Sequence, residues 1–234
     1  MEQLWAQISG VQPAPPRAVV ALLGALALGL VAWRPSWRVL RQVVTIAHEG
    51  AHALAALASG RSLHGVRLHR DTSGLTVTRG LARGPGVVAT LAAGYPGPAL
   101  LGLAGAWLLG LGRAVLLLWL LLVVLAALLL QIRNWFGLVA VLLSGGVLVL
   151  VTRYLPGEGQ TAFAYALVWF LLLAAPYAVV DLVRARRHGA AHDSDADQLA
   201  SLTPLPAGVW VAVFLLVTLG CLLGGAALML GRLW

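Results

Sequence analysis

Seven apolar runs, most close to the roughly 20 residues an α-helix needs to cross a bilayer, constrain this chain more than anything else in it. They are expected at 18–33, 38–59, 86–110, 114–131, 134–151, 162–183 and 207–230. Only 10% of the 234 residues are charged and 60% are hydrophobic, which leaves too little polar surface to solvate a globule of this size. The expected class is therefore an all-α polytopic membrane protein with about seven transmembrane helices, one integral membrane domain spanning residues 1–234. The formal charge of +8 rests on sixteen arginines and no lysine. These arginines are scattered at segment ends, where they act as topology signals, so no nucleic-acid partner is expected. Placing Arg17, the loop 61–83, Arg133 and 184–187 on one side collects ten of them; Arg34, Arg38, Arg41, Arg113, Arg153 and Arg232 fall on the other. That bias puts the N-terminus in the cytoplasm of a protein of the cell membrane. The single cysteine, Cys221, lies in an apolar run and reads as packing.

The run 38–59 carries ionisable residues in its middle: "VVTIAHEGAHALAALASG" contains His48-Glu49-Gly50-Ala51-His52, an H-E-x-x-H sequence. On a helix His48 and His52 lie one turn apart on one face, where two imidazoles can bind one Zn²⁺. Glu49, about 100° round the helix, is placed to touch a water polarised by the ion rather than the ion itself. Ionisable groups at the centre of a membrane helix cost about 2.5–3.5 kcal/mol each on insertion scales, so three together call for a compensating role, which metal ligation supplies.

Next the period changes. In "LHGVRLHRDTSGLTVTRG" apolar and polar residues alternate on both sides of Asp71-Thr72-Ser73-Gly74, which predicts a β-hairpin over 63–79 inside a helical protein. Helices then resume over 86–183 and 207–230, separated by the longest polar stretch, "RARRHGAAHDSDADQLASLTP".

An H-E-x-x-H helix in a membrane, then a β-ribbon, then further membrane helices resembles the site-2 protease family of intramembrane zinc metalloproteases. The resemblance is carried by "HEGAH", by the hairpin and by "AAGYPGPALLG" (92–102), similar to the Gly-rich helix start this family places beside its catalytic helix. It implies a zinc metalloendopeptidase cutting a peptide bond of a membrane-embedded or juxtamembrane substrate, with the lipid bilayer and a membrane protein or peptide as partners. It implies Glu49 as the catalytic residue, His48 and His52 as metal ligands, and an extended substrate held along the ribbon's edge.

The family's third ligand is normally an aspartate in an Asn-Pro-Asp-Gly or Leu-Asp-Gly motif. Its nearest counterpart here, Asn134-Trp135-Phe136-Gly137, has Phe136 where the aspartate belongs. Asp181, the only aspartate within an expected span, is the favoured third ligand, although Arg184 one turn later offers it a salt bridge. Asp195 is the alternative, with helix capping as its plainer role; Asn134 or no third ligand stays open. "DLVRARR…SDADQLA" resembles a divergent, peptidase-like branch of the family. The departure at Phe136 also keeps a rival open, a catalytically inactive membrane scaffold or chaperone retaining the motif. His64, His69, His188 and His192 read as solvated, and Trp33, Trp37 and Trp234 as interfacial anchors.

Overall fold

The structure, a computed structural model, describes residues 8–188 and 193–231; His192, Arg232 and Trp234 lie outside the described residues. Helices α1 (Arg17–Ala32) and α2 (Arg34–Ala58) meet at Trp33 with a 101° bend. Pro35 sits in the first turn of α2, where its missing N–H costs nothing, but it cannot continue the helix before it. The Ser36 hydroxyl closes the corner, 2.5 Å from the carbonyl of Leu30 and 2.9 Å from that of Trp33.

A hairpin follows. Strands β1 (Ser62–Leu68) and β2 (Gly74–Arg79) pair antiparallel, with one irregularity between Leu63 and Gly65. The expectation over 63–79 is met. Thr45 on α2 anchors the turn, its hydroxyl donating to the Thr72 carbonyl at 2.8 Å.

The run expected as one helix at 86–110 is two. Helix α3 (Pro85–Ala93) and α4 (Pro96–Gly110) bend by 67° at Gly94-Tyr95, because Pro96 starts a new helix rather than extending the old one. Then come α5 (Ala114–Leu129) and α6 (Trp135–Tyr154). Next is α7 (Gly157–Arg187), which at 31 residues outruns the expected 162–183. Helix α8 (Asp195–Leu202) lies where the sequence predicted only a polar connection, and α9 (Ala207–Met229) ends the described chain.

Among the described residues, α6, α7 and α9 are each long and apolar enough to cross a membrane, and the total rises to five if each bent pair is one span. The sixteen residues of α5 reach only about 24 Å, short of a hydrocarbon core of about 30 Å. The expected seven spans are therefore three to five on length and composition, since two breaks and one short helix divide the apolar runs differently.

Helix α7 is the central column. Ala164, Leu172, Ala174 and Val179 along it are fully buried, and the Trp169 indole on it donates to the Val20 carbonyl of α1 at 3.0 Å. Its C-terminal end meets the start of α2, bringing Arg34 and Arg38 into one pocket with Arg184. The arginine split that set these residues on opposite sides does not hold as drawn, because the bend at Trp33 redirects α2. Of the tryptophans expected as interfacial anchors, Trp37 is buried within the protein at 6% exposure and Trp33 is exposed.

Candidate metal centre

The site is assembled around one stripe of α2. Glu49 and His52 are 3% and 5% exposed, and the side chain of His48 is 20% exposed. The His48 and His52 Nε2 atoms lie 3.0 Å apart, and both, with a Glu49 carboxylate oxygen, fall within 4.8 Å of one another.

Asp195, not Asp181, reaches this cluster. Asp195 Oδ2 lies 3.3 Å from His48 Nε2 and 3.3 Å from His52 Nε2. The preference for Asp181 is thereby reversed. Asp181 Oδ2 accepts the Trp37 indole N–H at 2.8 Å, and Oδ1 pairs with Arg184 at 3.2 Å, so it is occupied away from the histidines. Asp181 sits near the end of α7, while Asp195 comes back toward the middle of α2 on a separate helix. That helix is short, but Ala196 and Leu199 on it are fully buried against Val179 and Leu182 of α7 and Phe214 of α9. Asp197 ties it to α7 through Arg186. Apolar docking on one side and an ion pair on the other thus aim Asp195 inward. Burial works against its ionisation, yet the adjacent imidazoles hold its carboxyl below the usual carboxylate range.

Asn134, the remaining candidate, has a different task. The connection between α5 and α6 covers the outer edge of β1: Val66 N–H donates to the Gln131 carbonyl at 2.8 Å and its carbonyl accepts from Arg133 N–H at 2.9 Å. The Asn134 side chain prolongs this pairing like a further peptide unit, accepting from Leu68 N–H at 3.1 Å and donating to the Leu68 carbonyl at 2.7 Å. Because Val66 directs its backbone away from β2, it forms a non-hydrogen-bonded pair with Thr76, whose own N–H and carbonyl point to the opposite edge. No third strand pairs with that edge among the described residues.

Two neighbours of the motif were not singled out in the sequence. Thr90, on α3, accepts from His52 Nδ1 at 2.7 Å through its carbonyl. A carbonyl only accepts, so Nδ1 carries the proton and the Nε2 lone pair faces inward, the arrangement that orients a metal-ligating histidine. Thr76, on β2, donates its hydroxyl to Glu49 Oε2 at 2.5 Å. Both partners belong to elements far along the chain, so only alternation in the hairpin offered any hint of Thr76. His64, His69 and His188 are exposed, as expected.

Two glycines leave the room these side chains need. A Cβ on Gly74 would lie 2.3 Å from Glu49 Oε1, and one on Gly94 would lie 2.5 Å from the His52 ring and 2.6 Å from that of His48. Gly94 is the glycine of "AAGYPGPALLG", and its break between α3 and α4 roofs the two imidazoles.

The donor set suits a zinc ion. Asp195 Oδ2 is buried without a hydrogen bond of its own, facing two imidazole nitrogens. Ligands about 2.0–2.1 Å from a tetrahedral zinc stand about 3.3–3.4 Å apart, close to the 3.0, 3.3 and 3.3 Å found. A family model described as Peptidase M50B-like matches residues 21–225. The chain belongs to this family. The site-2 protease resemblance thus holds over most of its length, and membrane metalloproteases are the company it keeps. No curated protein and no solved structure matches it.

In this M50B-like chain Gly94 offers a direct check. Its φ of −57° is helical, so alanine there adds no backbone strain and acts only by pushing on the two rings. Gly94→Ala is expected to lower metal affinity about 10- to 100-fold, the range seen when a ligand loses its orientation. Gly50→Ala, with nothing within 4 Å of the added Cβ, should leave it unchanged. Metal content of the purified variants, measured by mass spectrometry, decides between them.

Proposed function

We propose that the protein is an intramembrane zinc metallopeptidase that hydrolyses a peptide bond in a membrane-embedded or juxtamembrane segment of another membrane protein. The observation that carries this reading is the convergence of His48, His52 and Asp195 on one point, with a Glu49 carboxylate oxygen within 4.8 Å of the two imidazoles. His48, His52 and Asp195 would hold the ion. Zinc bound there supplies Lewis acidity, polarising the scissile carbonyl and making a water a better nucleophile. Glu49 takes the proton of the attacking water and returns it to the leaving nitrogen. Thr76 fixes the Glu49 carboxylate by its Oε2, and the Thr90 carbonyl fixes the His52 ring.

The outer edge of β2 is the place for the substrate. A transmembrane segment must unwind to be cut, and its freed backbone groups then need partners in apolar surroundings. Strand addition along the Thr76 edge supplies them within reach of Glu49, because the same residue carries the free backbone groups and the hydroxyl that holds the carboxylate.

Phe136, in place of the family's usual aspartate, is the ground for the inactive-scaffold reading. Asp195 weakens it by bringing a carboxylate from another helix. The test is metal removal. Protein purified in detergent is expected to carry about one zinc per chain. It should cleave a transmembrane peptide, lose cleavage to a chelator, and recover it when zinc is restored. A protein that binds zinc and cleaves none of a panel of transmembrane peptides is a scaffold.

A further inference from the structure

We propose that the pocket between the start of α2 and the end of α7 binds the phosphate of an anionic phospholipid, whose acyl chains follow the apolar groove along α2. The pocket holds about 350 Å³ and is lined by Arg34, Trp37, Arg38, Tyr177, Asp181 and Arg184, among others. Three guanidinium groups face one carboxylate there. That carboxylate is fully engaged, with Oδ2 on the Trp37 indole and Oδ1 on Arg184. Arg34 and Arg38 have no hydrogen-bond or ion-pair partner among the described residues, so the pocket keeps an uncompensated positive charge at the end of the long apolar helix α7.

Its floor is aromatic. Trp37 and Tyr177 meet edge to face with centroids 4.9 Å apart, and the Arg184 guanidinium lies 5.5 Å from the centroid of the Tyr177 ring. Aromatic rings beside basic side chains at a helix end are the chemistry of the headgroup level, and basic pockets between membrane helices bind lipid phosphates. Arginine suits this better than lysine, since its planar fork engages two phosphate oxygens at once.

The second observation is a shared wall residue. Arg38 also lines a large groove of about 1140 Å³ whose walls are almost wholly apolar. Leu26 and Leu30 of α1 and Val39 and Val43 of α2 are among its lining residues. A basic pocket and an apolar groove that share Arg38 in their walls match a molecule with an anionic head and hydrocarbon tails. A free phosphate would leave the groove uncovered, and a neutral lipid would leave Arg34 and Arg38 unpaired. Asp181, the carboxylate that does not reach the metal centre, has its role here: it holds Trp37 and Arg184 in place.

The experiment uses the full chain in nanodiscs of phosphatidylcholine, with or without phosphatidylglycerol of the same acyl chains. Thermal unfolding and native mass spectrometry of retained lipid are the readouts. Phosphatidylglycerol should be retained and should raise the unfolding midpoint above that in phosphatidylcholine. The double variant R34Q/R38Q should lose on the order of 10- to 30-fold in that preference, while unfolding as wild type does in phosphatidylcholine. R34K/R38K should keep part of it, and Arg153→Gln, at the end of α6, all of it. Equal retention of the two lipids overturns the proposal, as does a preference that survives in R34Q/R38Q. An equal midpoint shift from inorganic phosphate alone would overturn the lipid as its source. A polyleucine transmembrane peptide that stabilises wild type and R34Q/R38Q alike, with no lipid preference in either, would make the groove a helix dock instead.

Discussion

Asp195→Ala is expected to abolish zinc binding at stoichiometric metal, while Asp181→Ala leaves it intact. The loss follows from the geometry. Without Asp195 the site has two imidazoles, one of them partly open to its surroundings, and the only carboxylate left nearby among the described residues is Glu49, which the Thr76 hydroxyl already holds. A missing orienting partner already costs about 10- to 100-fold in metal affinity, so a missing ligand should cost more than about 100-fold. Asp195→Asn is the sharper probe, since it keeps shape and removes charge; it should retain the α8 docking made by Ala196 and Leu199 and still bind zinc weakly. Asp181→Ala disturbs only the Trp37 and Arg184 contacts, and its metal content should match wild type. Metal analysis after dialysis against a mild chelator reads all three. Full zinc in Asp195→Ala would sink the ligand assignment.

The reversal between the two aspartates shows where sequence ceases to inform. The H-E-x-x-H helix, the hairpin and the glycines of "AAGYPGPALLG" are legible because each is a local pattern: spacing on one helix face, alternation, a helix start. Glu49 and the two histidines fall together for that reason. Asp181 looked the stronger ligand because it lies in an apolar run, where an unpaired carboxylate is expensive. Its cost is offset by Trp37, 144 residues away, in a contact that only the 101° bend at Trp33 makes. Asp195 looked weaker because it lies in a polar stretch that reads as a connection. Nothing within "SDADQLAS" says that Ala196 and Leu199 will bury themselves under α7 and α9; that depends on surfaces presented by distant helices. The same limit explains the span count. Apolar runs show where helices can form, but Pro35 and Pro96 decide where they bend, and bends decide how many of them cross.

Glu49→Gln should separate enzyme from scaffold, because it touches proton transfer and little else. The substitution is isosteric, and the Thr76 hydroxyl that now donates to Oε2 can donate equally to an amide oxygen, so the packing under Gly74 is kept. Glutamine cannot accept the proton of a water at neutral pH. If Glu49 is the general base, the cleavage rate should fall on the order of 10²- to 10⁴-fold with zinc content unchanged. If Glu49 instead helps hold the ion, for which its carboxylate oxygen lies close enough to the two histidines, metal content and cleavage should fall together. Thr76→Val provides an internal gradation. It deletes the hydrogen bond to an ionised carboxylate, an interaction worth about 1.5–3 kcal/mol, and so should slow cleavage by roughly 10- to 100-fold while zinc stays bound. A Glu49→Gln protein that cleaves as fast as wild type would remove Glu49 from the chemistry altogether, and with it the reason for a glutamate buried to 3% exposure in an apolar helix.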